Sequence, residues 1–198
     1  MRFYVLLLAC CFFVKGNAQN LSKQSPDSVQ IEHTITSFYK WYNNNWEKVN
    51  VFKLYNSKTG PEGPPYIVNW KGVKKYFTYL KKEAPQLHPE FYLAEREEFK
   101  RLQKGFDKNP QEAIAIGFDY DRFTNSQDEP QWFITELKKT AKWQINYKTK
   151  TEAIITLWQS ASDARGDYQY QLMCFDMKKT GKGWKIGAIY SCEDKLTD

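Results

Sequence analysis

Residues 143–192, WQINYKTKTEAIITLWQSASDARGDYQYQLMCFDMKKTGKGWKIGAIYSC, decide the fold. Trp143, Ile145 and Tyr147 alternate with polar residues, residues 153–158 are apolar and β-branched on both faces, and residues 168–177 and 184–192 follow. A period of two is the signature of strands whose alternate side chains point to opposite sides of a sheet. Four such runs with no helix between them predict an antiparallel sheet, the last two strands closing through the turn Thr180-Gly181-Lys182-Gly183. A two-residue loop there sets Cys174 opposite Ile189 and Cys192 opposite Gln171. That odd offset puts the two sulfurs on opposite faces. The expectation is therefore that Cys174 and Cys192 are reduced, or at least not joined in a regular register; a bond between them requires a bulge or another turn.

Upstream of the sheet the period changes. Ser25-Pro26-Asp27 is a helix start, with capping side chains and a proline whose missing N–H is harmless in the first turn. Ile31, Ile35, Phe38, Tyr42, Trp46 and Val49 then recur at steps of four and three, so a long helix over about residues 27–48 carries one apolar face. Asn43-Asn44-Asn45 weakens it locally, because asparagine competes for backbone hydrogen bonds. Glycines and prolines over residues 59–65 mark a loop, and Tyr66-Ile67-Val68 is a short extended piece. Asn69 caps a second helix with Val73, Tyr76, Phe77 and Leu80 on its apolar side. His88-Pro89-Glu90 starts a third carrying Phe91, Ala94, Phe99, Leu102 and Phe106. Residues 113–116 are too short to classify, residues 132–139 are ambiguous between helix and strand, and FDYDRFTNSQDEP at 118–130 reads as an ordered loop. Helices first and strands after give an α+β domain, with N-terminal helices covering one face of a curved antiparallel sheet of about four strands.

The N-terminus has the order of a secretory signal: Arg2, an apolar run from Phe3 to Val14, and Gly16-Asn17-Ala18 before Gln19. Twelve apolar residues are too few for a permanent membrane anchor. The expected division is a signal peptide at 1–18 and a single domain at 19–198, exported to the periplasm or beyond. A rival reading takes Leu7-Leu8-Ala9-Cys10 or Leu8-Ala9-Cys10-Cys11 as a lipoprotein box, but cutting there strands Phe12-Phe13-Val14 on the mature chain. Removal of residues 1–18 lowers the net charge from +6 to about +4. The lysines are spread without a dense block, which argues for a solvated surface and against nucleic acid. No other apolar run approaches a membrane span, and aromatics at 17% supply the large side chains a single core needs.

The aromatic helix SFYKWY at 37–42, the segment FDYDRFTNSQDEP and the closing Gly183-Trp184-Lys185-Ile186 resemble a family of exported bacterial proteins of unknown function, placed in the nuclear transport factor 2-like, or cystatin-like, superfamily. The resemblance covers most of residues 27–192. It implies a cone-shaped α+β fold in which sheet and helices enclose a cavity. It implies no particular activity, since that superfamily hosts isomerases, dehydratases, transport factors, immunity proteins and inert scaffolds.

The only concentrated polar signal lies between Asp119 and Asp128. Oxygen ligands for calcium are present in Asp119, Asp121, Asn125, Gln127 and Asp128, but the calcium-loop pattern fails: Thr124 stands where glycine is needed and Pro130 where a bidentate glutamate belongs. The plain reading is a loop that hydrogen-bonds to itself and to the first helix, with Arg122 paired to a carboxylate. In the functional reading Asp121, Arg122, Gln127 or Asp128 faces a pocket. His33 points away from the apolar stripe and His88 sits at a helix cap, so neither a hydrolase triad nor a zinc site is expected, and no cofactor is called for. By analogy with isomerases of the superfamily, Asp119 or Asp121 paired with Tyr39 or Tyr42 would supply acid–base chemistry in a cone cavity. The expectation is a non-catalytic module that binds a small ligand or an envelope protein. The alternatives are an isomerase or lyase and an inhibitor-like protein.

Overall fold

A computed structural model describes residues 25–60, 63–139, 142–163 and 166–192. The expected signal peptide lies outside the described residues. Helices α1 (Pro26–Asn50), α2 (Trp70–Glu83), α3 (Pro89–Lys108) and α4 (Pro130–Lys139) precede a four-stranded antiparallel sheet of β3 (Lys142–Tyr147), β4 (Glu152–Asp163), β5 (Gly166–Thr180) and β6 (Gly183–Tyr190), in that spatial order. A second, two-stranded sheet pairs β1 (Tyr55–Ser57) with β2 (Tyr66–Val68). Among the described residues no helix is long and apolar enough to cross a membrane.

The helices start where capping chemistry places them. Ser25 Oγ accepts from Ser28 N at 3.1 Å ahead of Pro26, and Asn69 Oδ1 accepts from Gly72 N at 3.1 Å. His88 Nδ1 accepts from Glu90 N at 3.2 Å. Each such cap satisfies a donor the helix cannot, typically for about 1 kcal/mol. α1 runs unbroken through Asn43-Asn44-Asn45. The ambiguous segment at 132–139 is helical, and residues 118–129 form an ordered loop.

One sheet face is apolar by rows. Ala153, Met177 and Ile186 stand side by side across β4, β5 and β6, and the next row is Ile155, Phe175 and Ile189. All are buried. α1 and α4 cover this face, with Tyr39 edge-on to Phe175 at 6.1 Å and against Phe133 of α4 at 4.4 Å. The outer edge of β6 is covered as well: Ile186 N donates to Gln86 O at 2.9 Å and His88 N donates to Ile186 O at 2.7 Å. The bridge blocks that edge at Ile186.

The cysteines are not reduced; they are joined through a bulge, not in a regular register. Cys174 and Cys192 form a disulfide with Cα atoms 5.1 Å apart. The turn is the expected one, Thr180 opposite Gly183, and the register runs regularly back to Met177 opposite Ile186. There it shifts: Asp176 faces Ala188, so Gly187 is an extra residue in β6. One bulged residue reverses the alternation beyond it. Cys174 consequently faces Tyr190, and Cys192, two residues further, lies on the same side of the sheet. Ile189 turns inward by the same step.

Candidate functional site

The loop at 118–129 is fastened to α1 through Asp121. Its Oδ1 accepts from Phe123 N at 2.9 Å and Thr124 N at 3.0 Å, the local turn that aspartate favours. Its Oδ2 accepts from the Tyr42 hydroxyl and from Trp46 Nε1 at 3.3 Å. Asn125, with φ 48°, turns the chain back so that Asp121 N donates to Ser126 O at 2.8 Å. Tyr39 completes the attachment by donating to Phe123 O at 2.6 Å. Phe123 itself is buried against Phe38 and Tyr42, with ring centroids 5.2 and 4.7 Å away. Burial of such a ring contributes about 1.5–3 kcal/mol.

Arg122 turns the other way, into the helical layer. Its Nε donates to Oε2 of Glu95 on α3 at 3.1 Å, its Nη2 makes an ion pair with the same oxygen at 3.0 Å, and its guanidinium lies 4.5 Å over the ring of Phe99. Glu95 is buried one turn from Phe91 and one turn from Phe99, in the middle of the apolar stripe of α3. Burial pushes its carboxyl above the ordinary value, and Arg122 pulls the other way. The pair stays within the core because each member supplies what the other lacks.

Between the C-terminal end of α1, the β1–β2 sheet and this loop lies a cavity of about 650 Å³. Tyr55, Tyr66 and Phe118 form an aromatic wall, Tyr55 standing 5.7 Å from Tyr66 and 5.0 Å from Phe118 between ring centroids. Phe118 is only half-buried, because one of its sides faces this space. The most deeply buried lining residues are Tyr42 and Tyr76, beside Asp121 and Arg122. Tyr76, on α2, is 1% exposed and its hydroxyl has no hydrogen-bond partner among the described residues. Burial, and then the nearby Glu95, push that hydroxyl's pKa well up, so it keeps its proton.

Of the residues singled out in the sequence, Tyr42, Asp121 and Arg122 line the cavity. Tyr39 is fully buried in the core instead. Asp119 accepts from Gly117 N at 2.9 Å, Asp128 exchanges hydrogen bonds with Ser126, and Gln127 is exposed. Asp121 and Tyr42 meet, as acid–base chemistry would require, but each is already engaged. Four donors fill the positions a carboxylate offers, leaving none for a substrate proton. Burial and the adjacent Asp121 raise the Tyr42 pKa far above the ordinary tyrosine value, so its hydroxyl stays protonated and points at Asp121. The pair is a clamp between helix and loop.

Tyr76, Glu95 and the aromatic wall were missed in the sequence. Glu95 carried a legible signal, since Phe91, Glu95 and Phe99 are four apart and a carboxylate on that stripe needs a cation. The wall carried none, because β1 has no periodic pattern of its own and its pairing with β2 depends on the intervening loop.

No protein-family model matches the chain, and neither the curated proteins nor the solved structures give a match.

Proposed function

We propose that this chain is an exported, non-catalytic binding module that holds a small ligand in the cavity beside α1. The observation that carries the reading is the cavity itself. Its volume falls within the roughly 300–1,000 Å³ of ligand sites, and its lining combines an aromatic wall with polar groups that include Lys53, Asp121 and Arg122. The Asp121–Tyr42 clamp supports a binding role over an isomerase or lyase, because the one carboxylate and tyrosine that meet there are held as structure. Export is supported by the disulfide, a bond that persists in oxidising compartments, together with the signal-like residues 1–18. N-terminal sequencing of the processed protein should begin at Gln19.

The sequence resemblance and the arrangement of helices over one sheet face support a place among nuclear transport factor 2-like proteins, with the cone as the finer expectation. An experimental structure with a flat sheet would remove it.

Ligand binding is tested by a thermal-shift screen of small aromatic compounds against the wild type and Ser57→Trp, which inserts an indole at the cavity lining. Compounds that stabilise the wild type by several degrees and leave the variant unchanged bind where proposed. Equal shifts in both proteins place the binding elsewhere. No shift from any compound removes the small-ligand reading.

A further inference from the structure

Two hydrogen-bond donors on residues lining the cavity have no acceptor among the described residues, and they fix the chemistry of what enters. The first is the Tyr76 hydroxyl, buried and without a partner among the described residues. A buried hydroxyl in that state is destabilising, and native structures rarely keep one without a use. The second is Arg122. Its guanidinium has five N–H groups, of which only Nε and Nη2 reach Glu95, both on the same oxygen. The Nη1 edge has no acceptor among the described residues, and Arg122 lines the same space as Tyr76.

The surrounding charges are balanced. Arg122 and Lys53 are matched by Glu95 behind the guanidinium and Asp121 beside it, and the Asp121 oxygens already face four donors. Nothing there draws in a bare or multiply charged ion. What is lacking is a single acceptor oxygen at the deep end, with a flat apolar body to lie against Tyr55, Tyr66 and Phe118.

We propose that the cavity takes a planar aromatic ligand bearing a carboxylate or carbonyl oxygen, which accepts hydrogen bonds from Tyr76 and from the free edge of Arg122. This rests on the cavity being a ligand site. It makes Tyr76 a residue kept for binding at a cost to stability, a combination that a core tyrosine does not show.

The test uses three probes of one shape, indole-3-carboxylate, indole-3-carboxaldehyde and 3-methylindole, titrated by calorimetry into the full chain and into Tyr76→Phe. This variant loses no hydrogen bond, so it folds. Relief of the enclosed hydroxyl raises its melting temperature by a few degrees. In the wild type at least one oxygen-bearing probe binds about tenfold more tightly than 3-methylindole, and Tyr76→Phe removes most of that preference. The carboxylate and aldehyde arms tell an anionic ligand from a neutral one. Equal binding of all three probes overturns the acceptor proposal while leaving the cavity as an apolar site. No binding of any probe at millimolar concentration overturns both readings. A melting temperature that falls in Tyr76→Phe shows that the hydroxyl has a structural partner and also overturns the proposal.

Discussion

The Tyr42 hydroxyl donates to Oδ2 of Asp121, joining the middle of α1 to a loop 79 residues further along the chain. Trp46 Nε1, Phe123 N and Thr124 N donate to the same carboxylate. Replacing it with a methyl group in Asp121→Ala leaves four donors to find water or nothing. Each one left buried costs about 1–3 kcal/mol, so a total near 3 kcal/mol is expected even where solvent reaches some of them. In a domain of this size that is a fall of roughly 6–12 °C in Tm. Tyr42→Phe removes one donor and leaves the carboxylate three, for about 1 kcal/mol. Thermal unfolding followed by circular dichroism checks both; an Asp121→Ala protein that melts with the wild type would mean that the loop is not held by this clamp.

The Arg122–Glu95 pair gives a pH signature. Burial holds the Glu95 carboxyl above its ordinary value of 4.5 even with Arg122 beside it. A folded-state value above the unfolded one means that the native state binds the proton more firmly. That contribution is fully present below about pH 4.5 and is lost as pH rises through the raised value. Arg122→Met removes the one cation opposing the rise. Its deficit relative to wild type is therefore small near pH 4.5 and grows toward neutrality, reaching about 3–5 kcal/mol for a buried charge left alone. Glu95→Gln leaves the buried Arg122 guanidinium without its counter-charge and also loses about 3–5 kcal/mol, but without the pH dependence, and the double variant recovers most of the loss. Denaturant unfolding from pH 4.5 to 7.5 measures all three; a pH-independent Arg122→Met deficit would show that Glu95 is not its cause.

Much of this was legible before any coordinates. Capping residues Ser25, Asn69 and His88 marked three helix starts, because a cap is a local bond that needs no distant partner. The strands from Trp143 onward were legible for the same reason, since alternation is local. The clamp was half-legible: that 118–130 would be ordered and hydrogen-bonded followed from its aspartates, but which residue reached α1 depended on how the loop folded over the helix. The disulfide was readable in principle. Trp184, Ile186 and Ile189 are all inward-facing, and the step of three across Gly187 breaks the period of two, which is how a bulge looks in sequence.

Glycine substitutions at two helical positions have opposite expected signs. Gly105 in α3 has open space where a Cβ would stand, so Gly105→Ala gains the usual helix preference of about 0.5–1 kcal/mol. Gly72, in the first turn of α2, lies against the segment before β1, and a Cβ there would stand 1.9 Å from the Lys53 carbonyl oxygen. That oxygen also accepts from Asn69 Nδ2 at 2.8 Å, so it cannot withdraw without breaking the contact that docks the helix. Gly72→Ala is expected to cost about 1–3 kcal/mol, as overpacked sites do. Chemical denaturation of the two variants side by side makes each the control for the other.

The last expectation joins the disulfide to the bulge. Unreduced protein should be about 2 Da lighter than reduced protein and give one cross-linked peptide containing Cys174 and Cys192. Replacing both cysteines with alanine should cost about 3 kcal/mol, the loss typical for a loop near the 18-residue separation here. Deleting Gly187 tests the cause. Without the extra residue, the register that begins at Thr180 opposite Gly183 runs straight into the pairing already present beyond the bulge, Ala188 opposite Asp176 and Tyr190 opposite Cys174, so the residue that was Cys192 stays on the Cys174 face. Ile189 likewise keeps its inward place in the row with Ile155 and Phe175. The deletion protein should therefore still give the cross-linked peptide, with neither Cys174 nor Cys192 labelled under denaturing conditions, and be more stable than the double alanine variant, because it keeps both the bond and the inward isoleucine. A deletion protein in which both thiols label would show that β6 slips by one residue when Gly187 is lost, and the alternation argument would fail with it.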